Sequence, residues 1–315
     1  MIAYLLKRLL QAVVVVILVT IILFIILHAL PGGPARGILG PEASTQQVQQ
    51  YVHQHGYDKP LPVQYGKFVW QLLHGNLGYD PSHNEQVTTE IGQDLPKSAL
   101  LLGLAYGVAL LISIPLGVVQ AIRRNSVMDH TTSALSFVAY SMPVFWLGIL
   151  LILVFSLNLH WLPPEAPQGA TVGAVLQEPL GLILPVTTQA LINIAIFSRF
   201  VRSSAIENLL QDYIRTARAM GIPERKVRYQ YLLRNSLLPI ITLIGLSLPA
   251  VIGGVVITES VFNYPGMGLL LWNSAVMHNF PVLLGATLVI AGAVVLGSML
   301  ADFLYAVADP RIRYS

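Results

Sequence analysis

Six stretches of this chain are too long and too apolar to be ordinary core helices: residues 9–30, 98–122, 132–159, 180–198, 237–258 and 282–307. A helix needs about 20 apolar residues to cross the hydrocarbon core of a bilayer. Lipid offers no hydrogen bonds, so a segment inside it must satisfy its own backbone, which selects the α-helix. Composition agrees: 55% of the residues are hydrophobic and 10% are charged, against about 25% charged in a soluble domain. The expected fold class is all-α, a polytopic membrane protein with about six transmembrane helices. Pro143 and Pro185 fall inside the third and fourth stretches, where proline is tolerated but kinks the helix.

The chain opens with Lys7-Arg8 and then the uncharged run 9–30. A secretory signal has a shorter apolar core, about 7–15 residues, ending at a small-residue cleavage site. The run is therefore read as a retained first helix. With six spans, one side of the membrane holds Lys7, Arg8, Arg123, Arg124, Arg199, Arg202, Arg215, Arg218, Arg225, Lys226, Arg228, Arg234, Arg311 and Arg313. The other holds only Arg36, Lys59, Lys67 and Lys97. Basic residues stay on the cytoplasmic side, so both termini are expected there. A net charge of +3 distributed in this way orients the chain in lipid and does not indicate a nucleic-acid partner. The absence of cysteine excludes disulfides, thiolate metal sites and cysteine nucleophiles.

Three regions follow: residues 1–30 as cytoplasmic start and first helix, 31–97 as a large external loop, and 98–315 as a five-helix core that includes the basic loop 199–236. In the external loop Tyr65, Phe68, Val69, Leu72 and Leu73 recur at helical spacing and Gly75 follows as a C-cap. This stripe predicts a helix lying on the membrane surface, and 45–55 predicts a second short helix. His53, His55, His74 and His83 lie in the same loop and read as solvated histidines, with no metal site expected. The loop 161–179 is proline-rich, and the loop 259–281 contains the turn signal Tyr264-Pro265-Gly266. Glu259 and Phe262 stand where the fifth span ends and are candidates for the pathway or an external gate; the other reading of Glu259 is a cap for the following turn. Asp302, near the cytoplasmic end of the last span, reads as an interfacial residue.

The basic loop 199–236 is more than an orienting charge cluster. Gly221 can end a helix through Ala217 in the left-handed conformation. Pro223 and Glu224 suit the start of another helix, which continues through Val227 and Tyr231. The pattern predicts a helix–turn–helix. Its residues Arg215-Thr216-Ala217-Arg218-Ala219-Met220-Gly221, with Ile222-Pro223 after them and Leu233-Arg234-Asn235-Ser236-Leu237-Leu238-Pro239 further on, resemble the coupling loop of dipeptide, oligopeptide and nickel ABC-importer permeases. Leu30-Pro31-Gly32, Asp58-Lys59-Pro60-Leu61, Gly75-Asn76-Leu77-Gly78, Glu259-Ser260-Val261-Phe262 and Asp309-Pro310-Arg311 extend the resemblance over nearly the whole chain. One departure is Gly33, where such permeases usually carry Asp.

The resemblance implies a type I ABC importer permease fold in a bacterial plasma membrane. It also implies a second homologous permease, one or two cytoplasmic ATPases and an external substrate-binding protein. Residues 215–223 would dock on an ATPase. The phosphate-cradling pattern Gly-x-x-x-x-Gly-Lys-Ser/Thr is absent, since Gly66-Lys67 lacks the upstream glycine and the following hydroxyl. The chain is thus expected to bind no cofactor and to catalyse nothing, with ATP and Mg held by partner subunits. Peptides are the expected cargo, nickel or another small solute the alternative. An ATP-independent secondary transporter is the less favoured class, because such proteins carry buried charges and paired repeats that this chain lacks.

Overall fold

The computed structural model describes residues 2–30, 32–40 and 43–308, with side chains described between residues 10 and 299 apart from 31, 41, 42 and several within 238–253. Arg311 and Arg313 fall outside the described residues, and only the backbone is described at Lys7, Arg8 and Asp302.

Helix α1 (Ile2–Ala29) is followed by three short helices, α2 (Gly33–Leu39), α3 (Thr45–His55) and α4 (Leu61–Leu73), and by the antiparallel hairpin β1 (Tyr79–Asp80) and β2 (Glu85–Gln86). Both short helices predicted in this region are present. A capping box starts α3: Ser44 Oγ accepts from the Gln47 N–H, and the Gln47 side chain accepts from the Ser44 N–H. The apolar stripe of α4 faces a helix rather than the membrane surface alone. Phe24 of α1 packs edge-on to Tyr65 and tilted against Phe68, and His28 meets Gln64 at 2.8 Å.

The core begins with α5 (Val87–Ile122). Then come α6 (Val127–Ser141), α7 (Val144–Leu151, continued by a π-helical stretch Ile152–Asn158), α8 (Val172–Leu176) and α9 (Pro179–Leu209). Next are α10 (Asp212–Ala219), α11 (Glu224–Lys226), a π-helical stretch Val227–Leu233, α12 (Arg234–Ser236), α13 (Leu238–Gly253), α14 (Val256–Val261), α15 (Met267–Val276) and α16 (Phe280–Ala308). Among the described residues α1, α5, α9 and α16 are each long and apolar enough to cross a membrane, and the pair α6–α7 makes up to five spans.

Two of the six expected spans are therefore not single straight helices. The third is bent by 105° between α6 and α7. Pro143 disfavours helical backbone at the residue before it, and Met142 is extended at φ −74°, ψ 134°. The fifth is split into α13 and α14 at Gly254, whose φ is +72°. At 1.5 Å per residue, α13 is about 24 Å long, short of the roughly 30 Å hydrocarbon core. Pro185 leaves α9 continuous.

Helices α5 and α9 are the central pair and run parallel. Leu101, fourteen residues into α5, shares a cluster with Leu182 and Leu184 near the start of α9 and with Val175, Phe262 and Tyr264. Near the ends of α5 and α9, Ala121 shares a cluster with Ala205, Ile214, Ala217, Val227 and Leu232. Between them the helices cross closely: a Cβ on Gly117 would lie 2.7 Å from Val201 Cβ and 2.8 Å from the Ser198 carbonyl oxygen. Helix α16 packs along α13, and α1 joins α16 through Leu23, Leu27 and Leu284. The molecule thus has a hairpin end, holding β1–β2 and the starts of α5, α9 and α16, and a basic end, holding α10–α12.

Candidate functional site

The element at the basic end is shaped by its own sequence. Helix α9 runs on to Leu209, so Arg199 and Arg202 belong to it, and Leu210 and Gln211 form the turn into α10. Leu209 and Leu210 therefore do not share a helix with Tyr213 and Ala217. Gln211 is extended, and the eight residues of α10 follow. The helix ends in a Schellman turn: Ile222 N–H donates to the Ala217 carbonyl (3.2 Å) and Gly221 N–H to the Arg218 carbonyl (3.0 Å). Gly221 takes the left-handed conformation at φ +72°. Pro223 is the extended residue before α11 and its carbonyl accepts from Lys226 and Val227.

Burial separates this element into two faces. Ile214 and Ala217 have no exposed surface and lock onto α5, α9 and the stretch after α11. Arg215, Thr216, Arg218, Ala219, Met220, Gly221 and Pro223 are exposed, and Ile222 is half-buried. Met220 is 65% exposed, as is Tyr229 beyond the turn. Arg218 Nε donates to Glu224 Oε1 at 2.7 Å across the turn. That guanidinium holds the Glu224 carboxyl below the usual carboxylate range. Tyr213 Oη donates to Asn208 Oδ1 at 2.7 Å, tying α10 back to α9. The result is a stiff, solvent-facing ridge fastened to the central helix pair.

A second tie at this end was not visible in the sequence. Arg202 of α9 donates from Nε and from a terminal nitrogen to the two carboxylate oxygens of Asp129, both at 2.8 Å. Asp129 is 1% exposed and also accepts from the Asn125 N–H at 3.0 Å. It lies just ahead of the apolar stretch that starts at 132, and the Arg202 guanidinium pulls its carboxyl down to about 2. The fork geometry is that of a strong, directional pair, and it fixes the start of α6 to α9.

Glu259 and Phe262 lie at the hairpin end, remote from residues 215–223. Both are 0% exposed, so in this conformation neither side chain faces an open pathway. Glu259 Oε2 accepts from the Gly268 and Leu269 N–H groups (2.7 and 3.1 Å), at the N-terminus of α15, where an acid meets the positive end of the helix. Its Oε1 accepts from Ser98 Oγ at 2.8 Å and from the Val255 N–H at 3.1 Å. Ser98 Oγ in turn accepts from the Met267 N–H at 2.8 Å. One carboxylate therefore joins α5, the α13–α14 break and α15. Phe262 packs in the cluster of Leu101 and Leu184, and Tyr264 Oη donates to the Lys97 carbonyl at 2.7 Å.

A body of membrane-length helices that carries a stiff ridge at one end and a hydrogen-bonded hub at the other is the frame of a polytopic membrane protein. Family models agree along the chain. Residues 113–314 match the binding-protein-dependent transport system inner membrane component, and residues 1–99 match the N-terminal part of such membrane components. The chain belongs to this family of inner-membrane permeases. It is 38% identical over 316 residues to the oligopeptide transport system permease protein AppB of Bacillus subtilis, with 100% of both chains covered. It is 34% identical over 333 residues to the dipeptide transport system permease protein DppB of Alkalihalophilus pseudofirmus, again with 100% of both chains covered.

Proposed function

We propose that this chain forms half of the translocation pathway of an ATP-driven importer of peptides, with both termini and the α10–α12 element on the cytoplasmic side. The observation that carries the reading is the ridge itself. Its exposed side, with Arg215, Arg218 and Met220, is free to meet a partner, while Ile214 and Ala217 bind its other side to α5 and α9. A push on such an element moves the helices to which it is fastened, which is what rigid-body alternating access requires.

The partners would be a second, homologous permease, one or two ATPases that hold ATP and Mg, and an external binding protein. The likeness to an oligopeptide and a dipeptide permease, at 38% and 34% identity, supports peptides as cargo. The Glu259 carboxylate ties the Val255 N–H in the α13–α14 break to α5 and α15, so Glu259 and Phe262 would serve the external gate by fixing its frame rather than by touching cargo.

Purification of the chain from its own membrane in a gentle detergent, with mass spectrometry of what accompanies it, tests the reading. Recovery of a second permease and an ATPase is the expected result. Recovery of this chain alone, active in liposomes without ATP, would overturn it.

A further inference from the structure

The β1–β2 hairpin and the first turn of α5 bring three donor side chains together, although the isolated histidines of this loop read as solvated in the sequence. A carboxylate oxygen of Asp80, a ring nitrogen of His83 and a carboxylate oxygen of Glu90 lie within 4.8 Å of one another. His83 Nδ1 is 2.6 Å from Asp80 Oδ2 and 3.5 Å from Glu90 Oε1. Asp80 is 0% exposed and Glu90 8%, whereas the His83 side chain is 63% exposed and forms the mouth of the cluster.

The two carboxylates differ in a telling way. Asp80 Oδ1 is committed to the protein: it accepts from the Ser82 N–H and from Asn279 Nδ2, both at 2.7 Å. Asp80 Oδ2 is hydrogen-bonded to His83 Nδ1 at 2.6 Å. Glu90 is committed to nothing. Both of its oxygens are buried and neither has a hydrogen-bond partner; His83 Nδ1 comes no closer than 3.5 Å. Lys97, two turns further along α5, is paired with Asp94 at 2.9 Å. A buried carboxylate without a donor is expensive, and a second carboxylate beside it adds repulsion. A metal ion taking the place of the proton between His83 and Asp80 would give Glu90 the partner it lacks.

We propose that Asp80, His83 and Glu90 form a binding site for a divalent transition-metal ion of the zinc type. One imidazole nitrogen with two carboxylate oxygens is a donor set for zinc and its neighbours; magnesium and calcium favour oxygen alone. Ligand atoms around a tetrahedral zinc stand about 3.3 Å apart, given bonds of about 2.0–2.1 Å. The 2.6 and 3.5 Å separations bracket that distance, and the exposed His83 ring is the member with room to adjust. Water would complete the coordination through the open mouth. Asn279 holds Asp80 from the turn before α16, so the ion would clip the hairpin, α5 and α16 together. The site stands independently of the transport reading.

The test uses the full chain in detergent, stripped with EDTA and titrated calorimetrically with ZnCl2, beside His83→Ala and Glu90→Gln. Wild type is expected to bind one more zinc ion than either variant, with micromolar or tighter affinity, or to lose at least tenfold in affinity at that site on substitution. MgCl2 at the same concentration should give no such event. Weaker binding at His53, His55 or His74 is common to all three proteins and cancels. Equal stoichiometry and affinity in wild type and variants would overturn the proposal. His83 is exposed, so His83→Ala decides the matter even if Glu90→Gln is poorly produced.

Discussion

Gly221 sets the geometry of the ridge at the basic end. No atom lies within 4 Å of where its Cβ would sit, so the demand is conformational and not steric. A left-handed backbone costs an ordinary L-residue about 1–2 kcal/mol, and asparagine less. Gly221→Val is therefore expected to depress uptake more than Gly221→Ala, and Gly221→Asn least, with unchanged amounts of protein in the membrane. Radiolabelled peptide uptake alongside immunoblotting reads this; equal uptake by all three would uncouple the turn from transport. Ala217 is no equivalent probe, because it is fully buried and an acidic residue there disrupts the packing before it tests docking. At the other end, Glu259→Gln places an amide donor against N–H donors. It should cost about 1–3 kcal/mol and lower the melting temperature in detergent, while an unchanged melting curve would remove the hub role. The two residues were not equally legible. Gly221 and its turn are written locally, in a helix pattern that stops at Gly-x-Pro. The partners of Glu259 include Ser98, 161 positions away, and no periodicity encodes that meeting.

Hydropathy marks where lipid is, not where a helix stops. That is why the segments were legible while their ends were not. Helix α5 begins at Val87 and α9 continues to Leu209, each well beyond its apolar stretch. The bend at Pro143 and the break at Gly254 follow from local residues, but their size depends on packing. Two element contacts give predictions. Gly117→Leu must wedge α5 from α9 at a point where even a Cβ is 2.7 Å from Val201. Overpacking of this kind costs about 1–3 kcal/mol, and Val201→Ala in the same chain should recover part of the lost melting temperature; no recovery would place the strain elsewhere. The Asp129–Arg202 pair has a pH signature. The Asp129 carboxyl is drawn down from 3.8 to about 2, so its contribution to stability is fully present above 3.8 and is lost as pH falls toward 2. Melting temperatures measured from pH 6 downward should fall across that window in wild type and less steeply in Asp129→Asn, which has given up the pair at every pH. Identical slopes would show that the pair contributes nothing.

At the scale of the whole molecule, the two ends are joined by α5 and α9, whose parallel course places the Glu259 hub at one end and the α10–α11 ridge at the other. The absence of native cysteine makes this arrangement directly testable, because a single introduced thiol is the only one that can react. Met220 is 65% exposed on the ridge and Trp70 63% exposed on α4, which packs beside Phe24 of α1 near the hairpin end. Met220→Cys and Trp70→Cys should both be labelled rapidly by a membrane-impermeant maleimide in detergent. In sealed cells only Trp70→Cys should react, and in inside-out vesicles only Met220→Cys. Reaction of both thiols from one side would refute the assigned orientation. Adding the partner ATPase to inside-out vesicles should then slow labelling of Met220→Cys several-fold and leave Trp70→Cys in intact cells unaffected. If the sidedness holds but the ATPase gives no protection, the membrane topology survives and the docking face must be sought elsewhere on the basic end, with Tyr229, equally exposed at 65%, as the next position to label.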